Sequence, residues 1–102
     1  MKIRLLPGAR EDLVNGYRFY EDQREGLGEY FLDTLYSDIE SLRISAGVHA
    51  FCFGGFRRLL SKRFPFAVYY RLEQDQIQVF AVLDCRRDPA WILRRVTGRR
   101  GD

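Results

Sequence analysis

The sequence predicts an α+β fold, a helical hairpin packed on one face of a mostly antiparallel four-stranded sheet, in the order β-α-α-β-β-β with a final short helix. Three observations lead there. Apolar residues recur at spacings of three and four between positions 9 and 45. They alternate with a period of two between positions 56 and 84. The two patterns do not interleave, and segregated helices and strands build a layered α+β domain.

Lys2 to Leu6 alternates loosely and precedes Pro7-Gly8, which marks a short opening strand. From Ala9 to Arg24, Leu13, Tyr17 and Tyr20 share one helical face. Glu11 and Asp12 are expected in the first turn, where carboxylates suit the positive end of the helix dipole. The glycines of "EGLGE" break the chain around Leu27. A second helix is predicted from about Glu29 to Ser45, with Phe31, Leu35, Ile39 and Leu42 on its inner face. The connection is short, so the two helices form an antiparallel hairpin.

"SAGVHAFCFGG", Ser45 to Gly55, is small, glycine-containing and aperiodic, and reads as one long loop. Three strands are then expected, over Phe56–Leu60, Phe64–Glu73 and Ile77–Asp84. In the middle one, Phe66, Val68, Tyr70 and Leu72 take one face and Ala67, Tyr69, Arg71 and Glu73 the other. Strict alternation in the last puts Ile77, Val79, Ala81 and Leu83 together, opposite Gln78, Phe80, Val82 and Asp84. Gln74-Asp75-Gln76 is short enough to join these strands as a hairpin. Asp88-Pro89 is a helix start, with Asp as N-cap and Pro at the first helical position. A terminal helix over Ala90–Val96 carries Trp91, and "TGRRGD", residues 97–102, reads as a frayed basic tail.

With 102 residues, the chain is the size of one domain. Its apolar share of 46% and aromatic share of 15% suffice for a core and argue against disorder. No apolar run approaches a membrane span, and the N-terminus has no signal-peptide pattern. Cys52 and Cys85 form no C-x-x-C pair and read as free thiols of a cytoplasmic protein. The single His49 has no metal-ligand spacing around it, so neither a metal nor a cofactor is expected. Charge is uneven: residues 1–51 carry six bases against nine acids, and residues 52–102 eleven bases against five acids. The basic second half either meets an anionic partner or serves solubility.

The element order, with "YRFYEDQREGLGEYF", "RRLLSKRFPFAVYYRL" and "VFAVLDCRRDPAW", resembles the RelE/ParE superfamily of bacterial toxins from toxin–antitoxin operons. The aromatic-Pro-aromatic entry at Phe64-Pro65-Phe66 and the Arg-Asp-Pro-x-Trp exit at Arg87–Trp91 are its specific parts. The resemblance spans Ile3 to about Val96 and implies a single small domain held inactive by a cognate antitoxin. It also implies a groove for an extended or helical antitoxin segment; Tyr17, Tyr20, Phe31 and Leu35 are read mainly as packing of the helical hairpin, and whatever part of them is exposed would form that groove. One branch of the superfamily cuts messenger RNA on the ribosome. The other, ParE-like, poisons DNA gyrase.

RNA cleavage by 2′-hydroxyl attack needs a base, positive charge at the phosphate and an acid for the leaving oxygen. The resemblance implies, for the ribonuclease branch, two bases on the second strand and an Arg early in the third. It implies a further Arg after the fourth strand, then a terminal Tyr or His. Arg58 and Arg87 match two of these positions, whereas Leu60, Ala67 and Leu93 occupy the others. Asp84 stands where many relatives have His. A nuclease site here would be Arg58, Asp84 and Arg87, with Asp84 as base and Tyr69 or Tyr70 as acid, because arginine stays protonated. The missing groups favour a toxin that binds a protein target. Ribosome-dependent cleavage, or a degenerate toxin that only binds its antitoxin, are the alternatives.

The residues expected to contact the target or nucleic acid are Arg58, Tyr69, Arg71, Arg86 and Arg87. Arg86 and Arg87 form either an anion clamp or one ion pair with Asp84 or Asp88 beside a solvated neighbour. Lys62 and Arg63 read as solvated loop charge, and Trp91 as an anchor of the last helix to the core.

Overall fold

The computed structural model describes residues 1–99. The elements are β1 (Lys2–Leu5), α1 (Pro7–Gln23), α2 (Leu27–Glu40), α3 (Leu42–Ser45), β2 (Phe51–Phe53), β3 (Phe56–Leu60), β4 (Phe66–Glu73), β5 (Gln76–Asp84) and α4 (Pro89–Thr97). The α+β class is as predicted, but the sheet has five strands in the order β1-β5-β4-β3-β2. The added strand, β2, lies inside the segment expected to be loop. Three residues are too few to show alternation, yet Phe53-Gly54-Gly55-Phe56 is a two-glycine hairpin signal, and Gly54 has φ +52. All pairings are antiparallel except β1 with β5, which is parallel because the helical hairpin carries the chain back across the sheet.

Helix α1 starts two residues before the expected Ala9, with Pro7 in the first turn, where its missing N–H costs nothing. Its first turn therefore holds no acid, and Glu11 and Asp12 fall further along. Glu21 near its end serves α2 instead: its carboxylate oxygens accept from the Gly26 and Gly28 N–H groups at 3.0 and 2.9 Å. Two donors at the α2 N-terminus are thereby satisfied from the other helix, which fixes the hairpin turn. The helices approach closely at glycines. A Cβ on Gly16 would lie 2.5 Å from the Phe31 ring, and one on Gly28 2.7 Å from the Tyr17 carbonyl oxygen.

The core lies between the hairpin and one face of the sheet. Leu13, Phe31, Leu35, Ile39 and Leu42 meet Phe66, Val68, Tyr70, Ile77, Val79 and Val82 there. The inner faces of α2 and β4 are those the sequence predicted. A smaller cluster covers the opposite face, where Ile92 and Val96 of α4 pack on Ala67, Tyr69, Phe80, Ala81 and Leu83.

Strand β5 departs from strict alternation. Tyr69 pairs with Ala81 while Tyr70 pairs with Val79, which leaves Phe80 as an extra residue. Beyond this bulge the faces exchange. Ala81 and Leu83 join the α4 cluster, and Val82 and Asp84 turn toward the hairpin. The predicted grouping of Ala81 and Leu83 with Ile77 and Val79 is therefore corrected.

The expected frayed tail is corrected for residues 97–99; residues 100–102 lie outside the described part. Thr97 ends α4, and its hydroxyl donates to the Leu93 carbonyl at 2.6 Å. The Arg99 guanidinium donates to both carboxylate oxygens of Asp12, at 2.5 and 2.9 Å, and to the Phe80 carbonyl at 3.0 Å. Asp12 in turn accepts from the Val82 N–H at 2.9 Å. Strand β1 ends at Leu5, opposite Val79, so among the described residues the bulged end of β5 pairs with β4 alone and its other side has no strand. Asp12 and Arg99 supply the hydrogen bonds a strand would have made.

Candidate functional site

Two hollows flank α4. The first, about 280 Å³, opens between α1, the end of β5 and α4, and includes Asn15, Phe19, Asp84, Arg87, Trp91 and Arg95. The second, about 360 Å³, opens on the other side of α4 and includes Cys52, Arg58, Tyr69, Cys85 and Leu93.

In the first hollow, Asp84 and Arg86 form a fork-to-fork pair. Arg86 Nε and Nη2 donate to the two Asp84 oxygens at 3.0 and 2.7 Å, and the Arg86 N–H adds a bond of 2.9 Å. These bonds hold the Asp84 carboxyl below its ordinary value. A carboxylate with both oxygens engaged and its basicity lowered is a poor proton acceptor. Arg87 lies with its guanidinium carbon 3.9 Å from the centre of the Trp91 ring, and Arg95 approaches the same ring at 5.1 Å. The adjacent arginines thus separate: Arg86 is paired internally, and Arg87 forms a cationic aromatic wall with Trp91 and Arg95. Opposite them Phe19 is 57% exposed.

In the second hollow, Arg58 projects on the α4 side of the sheet, beside its cross-strand neighbour Tyr69. Tyr69 itself is fully buried, and burial raises its phenol above the ordinary value against the opposing pull of Arg58. Burial also raises the Cys52 thiol, which makes it a weak nucleophile.

The three residues of the expected nuclease site are therefore divided. Asp84 and Arg87 line the first hollow, Arg58 lines the second, and α4 stands between them. The bulge at Phe80 causes this by turning Asp84 toward the hairpin. The two phenols expected as acids are also inside: the Tyr70 hydroxyl donates to the Ala46 carbonyl at 2.6 Å and is pushed up to about 12 by burial. Arg71 lies over the Phe56 ring at 5.0 Å and approaches Glu73 at 3.8 Å.

Of the expected groove, Phe31 and Leu35 are fully buried core residues and Tyr20 is nearly so. Tyr17 is half-buried against Gly28. These four side chains hold the hairpin together, and the apolar surface beside them belongs to Phe19 and Trp91. Sequence reasoning missed Phe19, Arg95, Asp12 and Arg99. Phe19 falls one position off the inner stripe of α1, and nothing local ties Arg99 to a residue so far along the chain.

Among the described residues, no cluster of three His, Cys, Asp or Glu side chains is placed to hold a metal ion, and no helix is long and apolar enough to cross a membrane.

A helical hairpin over a sheet in which β1 and β5 run parallel, closed by the short helix α4, is a fold this chain shares with a solved structure. A solved chain from the chromosomal ParDE toxin–antitoxin system of P. aeruginosa superposes with a TM-score of 0.74 at 21% identity, over 80% of this chain and 92% of that one. No protein-family model and no curated protein matches the sequence.

Proposed function

We propose that this chain is the toxin of a type II toxin–antitoxin pair, neutralised by a cognate antitoxin and acting in the cytoplasm by binding a protein target, DNA gyrase by analogy. The observation that carries this reading is the fold likeness to a chain of a ParDE system over most of both chains. The separation of Arg58 from Asp84 and Arg87 supports binding over RNA cleavage, because phosphoryl transfer needs its base and its cations at one phosphate. The antitoxin's place in this reading is the hollow between α1, β5 and α4. Its exposed Phe19 and its Arg87–Trp91–Arg95 wall suit an apolar segment that carries acids.

Induced expression of the chain alone is expected to arrest bacterial growth, and co-expression of the small neighbouring gene to restore it. Unchanged growth with folded, abundant protein would reject the toxin reading. Purified protein is further expected to inhibit gyrase supercoiling. Arrest without that inhibition would move the target elsewhere.

A further inference from the structure

We propose that one corner of the molecule, the turn after α3 together with the adjoining β2 and β3, is a lipid-contacting face that settles on an anionic bilayer surface. Four large apolar side chains project there. Ile44 is 95% exposed, Val48 79%, Phe51 61% and Leu60 54%. They form one patch. Ile44 and Val48 lie four residues apart along α3 and the turn that continues it, where the Val48 N–H donates to the Ser45 carbonyl at 3.0 Å. The Arg57 guanidinium donates to the Gly47 and His49 carbonyls at 3.3 and 2.7 Å and lies 4.1 Å over the Phe51 ring, which fastens this turn against β2. Phe51 and Leu60 border the same hollow. Single exposed apolar side chains are ordinary, but four held together in one corner mark an interaction surface.

The charge around the patch has one sign. From Ser41 to Leu72 the chain has six Lys and Arg and no Asp or Glu. The flanking carboxylates are engaged: Glu40 with Arg43, Glu73 with Arg71, and buried Asp38 with the Ser61 hydroxyl at 2.7 Å. Lys62 and Arg63, which follow Leu60 closely, enter no ion pair among the described residues. The acids gather instead in the preceding segment, Glu21 to Glu40, where seven of them stand against the single base Arg24. An anionic surface therefore attracts the segment that carries the patch and repels the one before it, which orients the molecule.

Binding at a membrane surface combines apolar side chains that enter the headgroup–acyl boundary with cations that meet the headgroups. The shape of the corner favours lipid over a protein partner. Ile44 and Val48 are protruding tips rather than the walls of a groove, and a bilayer accepts such tips without a complementary surface. Lys62, Arg63 and Arg58 are few for a nucleic-acid track, and aliphatic tips give bases no platform to stack on. The contact is peripheral, since among the described residues no helix is long and apolar enough to cross a membrane. The patch lies across the sheet from β5, so it is separate from the hollow proposed for the antitoxin.

Co-sedimentation of the full chain with lipid vesicles tests the proposal. Vesicles of equal parts phosphatidylcholine and phosphatidylglycerol are expected to carry the protein down at low salt, and vesicles of phosphatidylcholine alone to leave it in solution. Ile44→Ser combined with Val48→Ser changes two exposed side chains without changing charge, and should weaken binding by about tenfold. Lys62→Gln combined with Arg63→Gln should weaken it by roughly fivefold per cation removed. Val48→Trp is expected to shift its emission to the blue on the mixed vesicles, whereas Trp91 in the wild type keeps its emission. Equal binding to both kinds of vesicle, no binding to the mixed ones, or binding that both double variants retain would overturn the proposal. So would a blue shift of Trp91 in the wild type, which would put the lipid at α4. Binding of single-stranded oligonucleotides as tight as that of vesicles, and retained by Ile44→Ser with Val48→Ser, would overturn it in favour of nucleic acid.

Discussion

Arg99 and Asp12 form a two-pronged ion pair that ties the end of α4 to α1 and closes the bulged edge of β5. Asp12 is nearly inaccessible and Arg99 is 18% exposed in its side chain. Removing one partner of such a pair strands the other, so Asp12→Ala is expected to lose about 3–5 kcal/mol of stability. The Val82 N–H would lose its acceptor at the same time. Arg99→Met leaves the nearly inaccessible Asp12 carboxylate with the Val82 N–H in place of its cation and is expected to cost at least as much. Urea denaturation of the two variants checks the order, and equal stability of Asp12→Ala and wild type would refute the buried latch.

Gly16 is where α1 and α2 touch. A Cβ there meets Phe31 at 2.5 Å, and Phe31 is wedged among Tyr20, Phe64 and Phe66. Gly16→Ala gains roughly 1 kcal/mol of helix propensity and loses about 1–3 kcal/mol to overpacking. A lower thermal midpoint is expected, and a higher one would show that the ring can move aside.

Tyr20, Tyr69 and Tyr70 are all raised by burial, Tyr70 to about 12. A phenol whose folded value is raised favours the fold below its unfolded value of 10.0 and loses that contribution as pH climbs through about 12. Alkaline titration of tyrosinate absorbance is expected to show these three ionising late, and Tyr70→Phe to remove the last step. The same variant leaves the Ala46 carbonyl without its donor and should cost about 1–2 kcal/mol.

The Asp84–Arg86 pair behaves oppositely with pH. The Asp84 value is depressed, so its contribution is full above the ordinary 3.8 and disappears as pH falls below it. Arg86 is exposed and Asp84 partly so, which screens the pair. Asp84→Asn is expected to cost no more than about 1 kcal/mol at neutral pH, with the difference from wild type closing only in acid. A difference already closing at pH 6 would contradict the pairing.

Much of the fold was legible because it rests on short-range pattern. Phe31, Leu35, Ile39 and Leu42 repeat at helical spacing, Phe66 to Leu72 alternate, and Asp88-Pro89 marks a helix start; each lies where that pattern placed it. What was not legible depends on a single residue or on distant partners. The extra residue Phe80 exchanges the faces of β5 without any local signal in a run of apolar side chains. That one exchange carries Asp84 to the hairpin side of the sheet, away from Arg58. The Asp12–Arg99 contact joins the two ends of the chain, where no periodicity can point. Phe31 and Leu35, placed by their spacing on the inner face of the second helix, are fully buried and leave no exposed remainder for a groove.

Transcript integrity in cells arrested by the wild-type chain is the most direct measurement of whether this fold acts by binding. With Arg58 on one side of α4 and Asp84 and Arg87 on the other, arrested cells are expected to keep full-length ribosome-bound transcripts. Shortened transcripts in those cells, restored to full length by Asp84→Asn or Arg87→Ala in equally abundant folded protein, would contradict it.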